Sequence, residues 1–124
     1  MSGPNYTGLD KGYIIDDAVP EFTVVKLVSV EHAASYNGTG FAFGVCQEHI
    51  VEERDFGQRV ANVRMEGVTR AVAAGAIALG AEVYAAPDGR VTDDDDTGSN
   101  PKLGRCVTPS PGADRQLDLW LTHL

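Results

Sequence analysis

Residues 72–92, VAAGAIALGAEVYAAPDGRVT, constrain the fold more than any other stretch of this chain. At helical period Val72, Ala76, Leu79 and Val83 share one face, the pattern of an amphipathic helix. Gly75 and Gly80 oppose a helix, since each costs roughly 1 kcal/mol relative to alanine in a helix interior. Pro87-Asp88-Gly89 then supplies a turn: proline presets φ, the aspartate bonds its own backbone, and glycine accepts positive φ. On either side of that turn, Glu82-Val83-Tyr84-Ala85 and Arg90-Val91-Thr92 read as the arms of a β-hairpin. We adopt the hairpin.

Strand-like alternation recurs along the chain. Residues 22–30 (FTVVKLVSV) place Phe22, Val24, Val28 and Val30 on one face, with Val25 and Leu27 on the other. A turn at residues 37–40 precedes a second strand from residue 41 to about residue 51, with an apolar face of Phe41, Phe43 and Val45. Residues 52–58 read as a charged loop. Over residues 60–66 the spacing puts Ala61, Val63 and Met65 inward, and Asn62, Arg64 and Glu66 outward. Residues 93–101 read as a solvated acidic loop. Residues 104–108 and 116–121 form a last hairpin around residues 109–112, with Leu117, Leu119 and Leu121 facing inward. These leucines are expected to pack on the face of Phe41, Phe43 and Val45, or on that of Val63 and Met65. Several short strands with almost no helix signal predict a mainly β protein, a small antiparallel β-barrel or β-sandwich. Residues 21–124 make its single domain. Residues 1–20, polar and containing glycine and proline, read as an extended N-terminal arm that carries Tyr6, Leu9, Tyr13, Ile14 and Ile15.

At 124 residues the chain has room for one compact core. Its net charge of −8 argues against a nucleic-acid partner, because phosphate binding needs a basic surface. An anionic membrane surface is disfavoured by the same sign, and no apolar run approaches the ~18 residues of a membrane helix. The N-terminus lacks the basic and apolar regions of a signal peptide. The expectation is a protein made and kept in a reducing cytoplasm, with Cys46 and Cys106 as buried thiols rather than a disulfide.

No catalytic constellation stands out. Cys46 and His49 suggest a nucleophile and its base, but residues three apart in a strand point to opposite faces. Asp93, Asp95, Thr97 and Gly98 imitate the start of a calcium loop. The twelfth position, which should carry a bidentate glutamate, is Gly104, so the closing ligand is missing. The three histidines lack zinc spacing, and no phosphate-binding glycine motif is complete. We therefore expect no enzyme, no metal and no cofactor. Trp120 is singled out instead: it shares a polar strand face with Asp118 and Thr122, opposite the three leucines. Either a neighbouring segment covers it, or it makes a subunit contact of the kind tryptophan favours.

The hairpin of residues 80–92, the acidic loop, the stretch KLGRCV, a short turn and the last alternating strand together resemble the head decoration, or cement, proteins of tailed phages. That resemblance covers residues 60–121, with a weaker match back to Phe22. It implies a structural protein that binds the outer surface of the capsid and stabilises the mature head. It implies the major capsid protein as partner and a homo-oligomer, commonly a trimer. It also implies the virion as location, after synthesis in the host cytoplasm. On this reading Tyr6, Leu9, Tyr13, Ile14, Ile15 and Trp120 are the candidate contacts with capsid or neighbouring subunit. The alternative is a small intracellular β-barrel enzyme or ligand-binding protein using Cys46 and His49.

Overall fold

A computed structural model describes residues 8–15, 18–49 and 60–122. Among them are nine strands: β1 (Gly8–Ile15), β2 (Val24–Ser29), β3 (His32–Ser35), β4 (Phe41–Cys46), β5 (Val60–Val72), β6 (Glu82–Ala85), β7 (Val91–Thr92), β8 (Lys102–Thr108) and β9 (Gln116–Leu121). A single 3₁₀ turn, Asp96–Gly98, lies between β7 and β8. They form one sheet in the order β1-β3-β2-β4-β5-β9-β8-β6-β7, and β1 also pairs with β5. That extra pairing closes the first five strands into a small barrel, which leaves those strands no free sheet edge at the seam. All its ladders are antiparallel except β1 with β3, joined at Ile14↔His32 and Ile15↔Ala33.

Strand β5 belongs to two structures at once. Its first half pairs with β1 from Val60 to Gly67, and its second half pairs with β9 from Gly67 to Val72. Beyond β9 the sheet continues through β8 and β6 to β7, and a parallel bridge from Val91 to Ala73 curls it back towards the end of β5. Each curl holds its own core. Tyr13, Ile15, Val19, Val25, Ala33, Phe43, Cys46, Ala61 and Val63 fill the barrel. The second curl encloses Val83, Val91, Leu103, Cys106 and the leucines of β9, together with Val24, Ala42 and Val45 from the outside of the barrel.

The hairpin of residues 82–92 forms as its turn chemistry requires, with Tyr84↔Thr92 and Ala85↔Val91. Gly89 takes φ +85°, and its carbonyl accepts from the Val24 amide at 2.9 Å, which seats the turn on the barrel. The last hairpin, β8–β9, also forms, and Leu117, Leu119 and Leu121 are buried. They meet Val45 but not Phe43 or Val63, which lie in the barrel core, and Phe41 is exposed. A bulge explains the division: the β2–β4 register shifts between Val25 and Lys26. Strand β4 is therefore covered on both faces, with Ala42 and Val45 on one core and Phe43 and Cys46 on the other.

Two further expectations need correction. Val24 and Val25 are both buried, one on each face of β2, whereas Val28 and Val30, which alternation puts on the face of Val24, are 51% and 83% exposed. The bulge after Val25 and a second shift between Leu27 and Ser29 carry the strand out of the core, towards a turn where Glu31 has φ +62°. The extended arm is the other. From Gly8 to Ile15 it is a full strand of the barrel. Asp10 takes a bidentate contact from Arg64, with Nε to Oδ1 at 2.8 Å and Nη2 to Oδ2 at 3.0 Å, and Arg64 also donates to the Val68 carbonyl. Strand β4 stops at Cys46 rather than near residue 51, and residues 52–58 lie outside the described residues.

Candidate attachment surface

Alternation along β9 decides where Trp120 points. Its chain neighbours Leu119 and Leu121 are buried, so Trp120 faces outward, and it is 50% exposed. Across the sheet it pairs with Val68 on one side and Arg105 on the other. Opposite Leu121 stands Gly104, where a Cβ would run into the Trp120 carbonyl. Only glycine lets the two backbones close at that point.

Paired charges surround this apolar centre. Arg70 lies 4.0 Å from Asp118. Glu82 accepts from Lys102 at 2.7 Å and from the Tyr84 hydroxyl at 3.0 Å, and the Arg105 guanidinium is 3.6 Å away. The Lys102 hydrogen bond, followed by that of Tyr84, holds the Glu82 carboxyl below its ordinary range. An exposed aromatic within a polar, charge-balanced rim has the anatomy of a recognition patch.

The other sequence-derived candidates fare differently. Leu9 is 52% exposed and lies across from Glu66, two positions along β5 from the Val68 that faces Trp120. Tyr13 and Ile15 are buried in the barrel; the Tyr13 ring packs edge-on against Phe43 at 4.9 Å. Burial within their own chain removes both from any partner surface. Ile14 is half-buried, between His32 and Val60 in the register. Tyr6 lies outside the described residues. What the sequence missed is a second group of exposed apolar side chains, Leu27, Val28, Val30, Phe41 and Val60. Its signal was present in FTVVKLVSV, which carries more apolar residues than one covered strand face can absorb.

Cys46 and His49 do not form a dyad. The Cys46 thiol lies in the barrel core, donates to the Glu48 carbonyl at 3.1 Å and is pushed up in pKa by burial, while His49 is exposed beyond the strand end. Cys106, in the other core, is likewise pushed up by burial, and both cysteines are free thiols. A pocket of about 260 Å³ is lined by Phe22, Gln47, Arg64, Thr69 and Arg70. Its polar groups serve the fold: Gln47 Nε2 donates to Thr69 Oγ1 at 2.7 Å and to the Val45 carbonyl at 3.0 Å. In the acidic loop, Asp94 and Asp95 accept from the backbone amides of Asp96 and Thr97.

No curated protein matches this chain. Among solved structures, the N base of the head fiber gp8.5 of bacteriophage phi29 is similar, with a TM-score of 0.60 at 13% identity over 93% of this chain and 94% of that one. At that identity the likeness is one of fold. The family described as phage cement protein matches residues 14–120, nearly the whole of the described domain. An outward tryptophan, two thiols sealed in separate cores and a pocket committed to internal hydrogen bonds accord with a structural rather than a catalytic role. The chain belongs to the phage cement protein family and is a structural, non-enzymatic phage protein.

Proposed function

We propose that this protein binds the outer surface of the assembled head, contacts the major capsid protein, and stabilises the mature shell as a homo-oligomer, a trimer in the simplest arrangement. Family membership supports the head as partner, and the similar phi29 protein is by its name part of a head fiber. The observation that carries the reading is Trp120. A half-exposed tryptophan flanked by Val68 and Arg105 gains most by burial against another protein. Leu9, close by along β5, belongs to the same contact. A ligand that binds only the assembled shell stabilises it by mass action, so internal pressure must break its contacts as well as those between subunits.

The test is co-sedimentation with expanded heads and with unexpanded shells. The protein should pellet with expanded heads alone. Trp120→Ala should weaken that binding by about 2 kcal/mol or more, roughly thirtyfold, without lowering the melting temperature. Equal binding of parent and variant would remove Trp120 from the interface, and binding to neither particle would end the reading.

A further inference from the structure

We infer that the barrel end formed by the β2–β3 turn and the start of β4 is the face through which copies of this chain meet. This rests on the proposed association of copies and names its surface. Four of the large exposed apolar side chains lie there: Leu27, Val28, Val30 and Phe41. The register makes them neighbours. Leu27 pairs with Phe41 on β4 and with Ala33 on β3. Val28 and Val30 follow in the same hairpin, on either side of Ser29, which pairs with His32.

Two arguments select a second copy as the occupant. The first is area. The four side chains, between 40% and 83% exposed, leave more apolar surface uncovered in one place than scattered single residues do. A standard half-interface of about 800 Å² is a little over half apolar, and a cluster of this kind can form its centre. The second is charge. Two chains of net charge −8 repel wherever their acidic surfaces face each other. The β2–β3 hairpin offers a nearly neutral face, with Lys26 and Glu31 of opposite sign at either end of its exposed run. Such a face is self-complementary, because Lys26 of one copy can meet Glu31 of the next while the valines pack between them. The Tyr13–Phe43–Phe41 ring series stiffens the platform, with centroids 4.9 and 6.3 Å apart.

Sedimentation velocity of the full chain and of a Val28→Glu/Val30→Glu variant tests the inference, with head co-sedimentation run alongside. The parent should associate. The variant should associate at least about tenfold more weakly, because like charges then oppose each other across the contact. Trp120→Ala should associate like the parent, since Trp120 lies on β9, outside the barrel strands. A parent that stays monomeric at the highest concentration it tolerates, or a variant that associates as tightly, overturns the inference and leaves capsid attachment standing. A variant that keeps its self-association but no longer binds heads assigns the face to the shell protein and overturns it too. Circular dichroism checks the fold; should the double variant unfold, Val30→Glu alone gives the same readout, because Val30 is 83% exposed.

Discussion

Leu119 and Trp120 are adjacent in the chain, yet the first is fully buried and the second half in solvent. A strand turns each successive side chain through half a revolution, so one position can serve the core and the next the partner. Truncation should separate the two roles. Leu119→Ala leaves a void among Leu103, Leu117 and Cys106, and should cost about 2–5 kcal/mol in denaturant unfolding. A loss under about 0.5 kcal/mol would mean that the second core collapses around the gap without strain. Glycines fix the local geometry as firmly as the leucines do. Gly89 combines φ +85° with a position where a Cβ would stand 2.6 Å from Thr23 Cγ2, so any larger residue lifts the hairpin turn from the barrel.

At the scale of elements, β1 has the largest consequence. It supplies Tyr13 and Ile15 to the barrel core and the Asp10 partner of Arg64. Deleting residues 2–15 should therefore open the barrel, with loss of its cooperative melting transition by circular dichroism. Retention of a native melt would show the remaining strands to be sufficient. This strand was the element least legible in the sequence, for a physical reason. Gly8, Asp10, Lys11 and Gly12 have no apolar alternation, and the partner that orders them lies some fifty residues away at Val60–Val72. Where the signal is local, the sequence spoke clearly. Pro87-Asp88-Gly89 specified its hairpin, and the period of Leu117, Leu119 and Leu121 located the second core and left Trp120 outside. Val28 and Val30 leave the face of Val24 because Val28 is an extra residue in β2 opposite β3, and a bulge reverses the facing of the residues that follow it in its own strand. Of the candidate contacts, Trp120 and Leu9 were legible as exposed side chains, whereas the apolar barrel end was masked by looking like core.

For the whole molecule, acidity sets the response to pH. Glu82, bonded to Lys102 and Tyr84, is held below its ordinary 4.5, and Asp88, bonded to Arg90, below 3.8. Both are acids with lower pKa folded than unfolded, so the folded state binds fewer protons there. Their stabilisation is complete above those ordinary values and is lost as pH falls through the lowered ones. Glu82→Gln should make the acid limb of urea unfolding shallower below pH 4.5 while leaving the neutral limb little changed, since the pair is solvent-screened. An identical acid limb would exclude Glu82 as a contributor. The sharing of β5 between the barrel and the second curl of the sheet has a mechanical meaning as well. A pull on Trp120 enters β5 through the β9 ladder and travels along one covalent backbone into the ladder with β1. Those hydrogen bonds lie across the direction of pull and are loaded together, in shear, rather than peeled one after another. Loaded at Trp120 and along β5, the protein answers as a strap and not as a hinge.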